Sequence, residues 1–197
     1  GATWLALRQA ETLAPERRRP FRPRALAAGV REILTHRVVA LAIATQATCF
    51  GILFATLSST QQIFDTSFGR GETFHLWFGA IAIVAGTSSL LNAALVERLG
   101  MRLMINAVLA AQVVASALAN ALAWSGALGP EGLFALYIVW TVGVFFQAGL
   151  TLGNLNALAM EPMGHLAGLT ASVAGSIATI TAVALAAPIG LAFDGTP

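Results

Sequence analysis

The chain alternates between long stretches without any charged residue and short turns that carry almost all of the charge. No Asp, Glu, Lys or Arg occurs in 38–64, 73–96, 103–130, 132–160 or 162–193. A helix needs about 20 apolar residues to cross the roughly 30 Å hydrocarbon core of a bilayer, and each of these intervals is longer than that. Helices on a soluble core keep one polar face. Here both faces of every segment lack charge, so the pattern predicts an all-α polytopic membrane protein with spans at 38–58, 76–96, 103–125, 133–158 and 166–192.

The segments between the spans read as turns. Glu97-Arg98-Leu99-Gly100-Met101-Arg102 is a very tight connection, whereas 59–75 is longer and polar, with Gln61, Gln62, Asp65, Arg70 and Glu72. Gly126, Gly129 and Pro130 mark the next turn, and Glu161-Pro162-Met163-Gly164 separates the fourth span from the fifth. Pro188 and Gly190 predict a loosened or kinked end to the fifth. Ahead of the spans, residues 1–13 read as the last turns of a helix. The stretch 14–37 reads as a cytoplasmic loop. It begins as a proline-broken basic linker, Pro15 to Arg24. From Ala25 to His36 it becomes amphipathic, with Leu26, Val30, Ile33 and Leu34 opposed to Arg31, Glu32 and Arg37, as a short helix on the membrane surface would be. Residues 38–197 form the bundle. The chain shows no clear internal sequence repeat, and it reads as an excerpt of a longer protein.

Composition agrees: 57% of residues are apolar and 10% charged, with a mean hydropathy of +0.76, against about 25% charged in soluble domains. The net charge of +2 hides an asymmetry. All eleven cationic residues are arginine, and all but Arg70 lie before the first span or between the second and third. By the positive-inside rule those loops are cytoplasmic, and 59–75 and 125–132 face outward. Beside a span, the basic linker suits anionic headgroups, so membrane lipids and not nucleic acid are the expected contact. The single Cys49 excludes an intrachain disulfide. It reads as a small buried apolar residue. No metal-ligand spacing, phosphate-cradling loop or dinucleotide fingerprint occurs, and no cofactor is expected.

Two stretches resemble a known family. The run ending in Glu97-Arg98-Leu99-Gly100-Met101-Arg102 is similar to the cytoplasmic signature of the major facilitator superfamily, G-x-x-x-D-R-x-G-R-R. It departs at the first Gly, at Asp (here Glu97) and at the first of the last two residues (here Met101). Asn154, the Glu161-Pro162-Met163-Gly164 turn and the helix start Ala167-Gly168 followed by Ala171-Ser172 resemble the helix 10 to 11 region of the bicyclomycin-resistance (Bcr/CflA) drug:proton antiporters. The resemblance covers essentially the whole chain. It implies the C-terminal six-helix bundle of the major facilitator fold without its last helix: 1–13 end helix 6, 14–37 form the central loop, and the spans are helices 7 to 11. It further implies proton-coupled efflux of drug-like molecules by alternating access, in a bacterial inner membrane, with the N-terminal six-helix half as the absent partner. No acidic residue lies mid-span here, and the resemblance implies that the proton-coupling carboxylate belongs to that half.

Several side chains are candidates for that chemistry. Gln46, Phe50, Phe54, Leu57 and Gln61 share one helical stripe, as do Trp140, Gln147, Thr151 and Asn154, and again Ser172, Ser176 and Thr179. Polar residues inside spans face a cavity or another helix, so Gln46, Gln147, Thr151, Asn154, Ser172 and Ser176 are either substrate-lining or hydrogen-bonded between helices, and Phe50 and Phe54 add aromatic surface suited to an amphipathic organic substrate. Glu97, Arg98, Gly100 and Arg102 form either a cytoplasmic gate or an ordinary tight loop. Gly149-Leu-Thr-Leu-Gly153 is a GxxxG sequence that permits close helix approach. His165 reads as a capping or headgroup residue.

Alternatives are a major facilitator permease for a metabolite or sugar and, more distantly, an intramembrane serine protease using Ser88 with His165. The chain is not expected to be an enzyme.

Overall fold

The computed structural model describes residues 22–192. The predicted helix end at 1–13, nearly all of the basic linker and Asp194 lie outside the described residues. Helix α1, Pro23–Thr35, has Pro23 in its first turn, where the missing N–H is not needed. His36, extended at φ −75° and ψ 112°, turns the chain into α2, Arg37–Gln62. A wide turn at Ile63–Ser67 and a single 3₁₀ turn at Gly71–Thr73 lead to α3, Phe74–Leu99. Then come α4, Met101–Trp124, and α5, Pro130–Met160. A 3₁₀ stretch, Glu161–Leu166, joins α5 to α6, Ala167–Leu191. No strand occurs among the described residues.

Four helical stretches are long and apolar enough to cross a membrane. The last, Pro130–Leu191, spans 62 residues and consists of α5 and α6. Met163 leaves helical geometry at φ −111° and ψ 31°, and the two helices run in opposite directions. Even α4, the shortest of the five long helices, is about 36 Å long at 1.5 Å per residue. Pro188, expected to loosen or kink the end of this helix, lies inside it. Helix α6 continues through it to Leu191, and the Ala192 amide still bonds the Pro188 carbonyl. A proline three residues from a helix end removes one bond without ending the helix.

Contacts between named residues set the directions. Tyr137 meets Thr60 and Gln147 meets Cys49, so α5 is antiparallel to α2. Phe145 meets Phe78 and Asn154 meets Asn92, so α3 is parallel to α5. Trp140 bonds Ser116 and Gly143 abuts Gln112, so α4 is antiparallel to α5. Val39 and Ile43 cluster with Ala174, and Gly51 meets Leu185, so α6 is parallel to α2. The chain therefore reverses at every connection. Among the described arginines, Arg22, Arg24, Arg31, Arg37, Arg98 and Arg102 gather at one end, and Arg70 lies at the other.

An internal order emerges that the sequence does not display. The broadest contacts are α2 on α6, with α5 seated on α2, α3 and α4, while α3 and α4 barely touch. Exchanging α2 with α5 and α3 with α6 turns the parallel α2–α6 contact into the parallel α3–α5 contact. Because α2 and α5 are antiparallel, the two units are inverted. Both contacts close on a glycine. A Cβ on Gly51 would strike Leu185, and one on Gly149 would strike Ser88. Small side chains extend the α2–α6 seam, with Ala47, Gly51 and Ala55 on one helix and Ala174, Ala178 and Ala182 on the other. Such stripes let backbones approach closely, which supplies the dispersion contact that holds helices together in lipid.

The outward surfaces of α3 and α4 are strongly apolar. Ile83 and Leu90 are 75% exposed and Val113 69%. Side chains of that size, repeated around two helices, exceed what a water-facing surface carries. Lipid is the solvent that removes the penalty.

Candidate functional site

The first predicted stripe, on α2, is graded in exposure. Gln46 is buried at 7%, Phe50 is half-buried, and Phe54 and Leu57 stand open at 42% and 43%. The Phe50 and Phe54 rings stack at 6.0 Å between centroids, tilted 28°. The α2 sequence places them one turn apart, so together they present a ledge of aromatic surface.

The second predicted stripe is divided. Gln147 and Thr151 are buried, and the Gln147 Nε2 donates to the Thr151 Oγ1 at 2.8 Å and reaches the Cys49 Sγ at 3.5 Å. Asn154 is buried too, and its Nδ2 donates to the Asn92 Oδ1 at 2.7 Å and to the Leu150 carbonyl. Gln147 and Asn154 thus reach neighbouring helices, while Thr151 bonds Gln147 within α5. Trp140, on the same stripe, donates from Nε1 to the Ser116 Oγ at 2.9 Å.

The third stripe faces away from the bundle. Ser172 and Ser176 are exposed, and with Ala171, Gly175 and Thr179 they line a shallow groove on α6. The α6 surface packed on α2 carries Ala174, Ala178 and Ala182 instead. Ser172 and Thr179 return their hydroxyls to carbonyls one turn back, Gly168 and Gly175.

A separate cavity of about 370 Å³ lies in the half of the bundle nearer Arg70. Thr56 and Ser59 of α2, Ile63 of the turn after it, Asn120 and Ala123 of α4, Leu133, Tyr137 and Trp140 of α5, and Ile189 of α6 line it. None of the eight predicted substrate-lining residues reaches it. Thr56, Ser59 and Ile63 recur at helical spacing along α2 and into the turn after it, so the signal was present in the sequence, but Ser and Thr alone in an apolar span rarely distinguish a cavity from packing. Above this cavity sits an aromatic cluster, with Phe64 at its centre against Phe74, Phe134 and Tyr137. Arg70 closes it. Its Nη2 donates to both Glu131 carboxylate oxygens at 2.6 Å, and its guanidinium lies 4.1 Å from the Phe134 centroid.

At the arginine-rich end, Gly100 holds φ 78° and ψ 151°, a conformation that favours glycine, and so permits the α3-to-α4 reversal. Glu97, Arg98 and Arg102 are exposed, and no ion pair joins them to another described residue. His165 places its Nε2 2.9 Å from the Glu32 Oε1 on α1. With Gly29 against Leu166 and Leu169, this pins α1 to the 161–166 turn. Ser88 is buried against Gly149, so Ser88 and His165 have separate partners and form no dyad. Compared with known protein families, with characterised proteins and with solved structures, the chain gives no match.

Proposed function

We propose that this chain is the C-terminal bundle of a major facilitator transporter of the bicyclomycin-resistance type, exporting drug-like molecules against inward proton flow across a bacterial inner membrane. The observation that carries this reading is the inverted pairing of α2, α3 with α5, α6. Inverted-topology repeats are a recurring construction of secondary transporters, whose substrate sites lie near the midplane at the repeat interface. The open ledge of Phe50 and Phe54 beside Gln46 supports an amphipathic organic substrate. The exposed Ser172–Ser176 groove on α6 supplies a small-residue face for the N-terminal half, and rocking between the halves gives alternating access. Glu97, Arg98 and Arg102 then act at the cytoplasmic rim, with Gly100 as the turn that positions them. The resemblance places the proton-coupling carboxylate in the N-terminal half. The mid-span absence of arginine disfavours the alternative of an anionic-metabolite permease.

Export of a lipophilic fluorescent dye from energised cells producing the intact protein tests the reading. Dye accumulation is expected to fall in a protonophore-sensitive manner, and Phe54→Ala is expected to reduce export several-fold at equal protein level. Accumulation identical to that of cells lacking the protein, across a panel of cationic and neutral dyes, would overturn it.

A further inference from the structure

Three amide side chains are buried in the long helices: Gln46, Gln147 and Asn154. Gln147 and Asn154 have partners on themselves and on other helices. Gln46 has none. It makes no hydrogen bond to any described residue, and its Oε1 is enclosed without a donor. A buried polar group left unpaired is destabilising, and the penalty is not relieved by water in a bilayer core. Gln46 stands about 14 Å along α2 from Arg37 at 1.5 Å per residue, close to the middle of a 30 Å core. One turn further along the same face lies Phe50, followed by Phe54, their rings stacked and the second open.

We infer that Gln46 is the specificity-determining residue of the α2 stripe, pairing with a neutral hydrogen-bonding edge that offers a donor beside an acceptor, as a lactam or carboxamide does, on a flat apolar body that rests on Phe50 and Phe54. This rests on the stripe being substrate-lining, as proposed above, and adds the substrate chemistry. Turning the Gln46 amide breaks no hydrogen bond to a described residue, so a ligand edge that meets it displaces no partner within the chain. No charged side chain occurs in α2 between Val38 and Phe64, so the edge it reads is uncharged. A site that pairs with a ligand N–H rejects an analogue lacking it because its own buried acceptor is then left unpaired.

The probes are 2-quinolone and 1-methyl-2-quinolone, planar lactams that differ in one N–H. Binding is measured on the intact protein in nanodiscs. The N–H lactam is expected to bind about tenfold more tightly, the equivalent of one hydrogen bond. Gln46→Leu is expected to abolish that difference by weakening the N–H lactam alone, and Gln46→Met, unbranched and of similar length, provides the same test should Leu impair folding. Phe54→Ala is expected to weaken both lactams equally. Equal binding of the two lactams to the unaltered protein, or discrimination that survives both Gln46 changes, would overturn the inference. Binding of neither lactam would overturn it together with the lining role of the stripe. Lactam discrimination without dye export would strike the transport reading and leave the Gln46 assignment standing.

Discussion

At the scale of single residues, the bundle separates glycines that matter from those that do not. Gly149 and Gly153 form one GxxxG sequence, yet only Gly149 lies under another helix. A Cβ there would collide with Ser88, whereas one on Gly153 meets nothing within 4 Å. The sequence made the two equivalent, and only the position of α3 tells them apart. Gly149→Ala is expected to destabilise the detergent-solubilised protein by about 1–3 kcal/mol, the range for overpacking, and Ser88→Gly is expected to restore much of that loss. Gly153→Ala is expected to be near neutral. Equal thermal shifts for the two alanine variants would contradict the close α3–α5 approach. The same limit applies to the polar residues. That Gln147, Thr151 and Asn154 are buried beside one another follows from helical spacing, but their partners Cys49 and Asn92 lie on other helices. Spacing along one helix does not specify its neighbour.

At the scale of elements, the helices were the most legible feature, because hydrocarbon imposes a simple rule. Charge-free intervals of adequate length become helices, and the turns fall at Gly100, at Gly129-Pro130 and at Glu161-Pro162. The expected spans agree with α2 to α6 within a few residues. The 63–73 connection was less legible. It read as a polar loop, but it packs as an aromatic cap held by Arg70. The Arg70–Glu131 pair joins residues 61 positions apart, which no local pattern reveals. Glu131 is 81% exposed, so the ion pair itself contributes at most about 1 kcal/mol, and the Arg70 stacking on Phe134 about 0.5–1 kcal/mol more. Arg70→Ala, which removes both, is therefore expected to lower the melting temperature more than Glu131→Ala. High salt is expected to narrow the gap between Glu131→Ala and the unaltered protein. A larger effect from Glu131→Ala would contradict the role given to the stacked guanidinium.

At the scale of the whole molecule, the inverted relation of α2, α3 to α5, α6 organises everything else. It was invisible in the sequence because the equivalent contacts use different side chains: alanines and Leu185 over Gly51 on one side, Ser88 over Gly149 on the other. What the two share is geometry, a parallel helix pair closed on a glycine. That geometry requires the α3–α4 and α5–α6 turns to lie at one membrane face and the 63–73 and α4–α5 turns at the other, the first face carrying six of the described arginines. The most direct test is labelling of single cysteines with a membrane-impermeant maleimide in a Cys49→Ala background, at Leu99, Gly164, Gly69 and Gly126. Labelling of positions 69 and 126 from outside intact cells, with positions 99 and 164 reached only after the membrane is opened, is the predicted result. Positions 99 and 126, or 69 and 164, reacting from the same side would contradict the account.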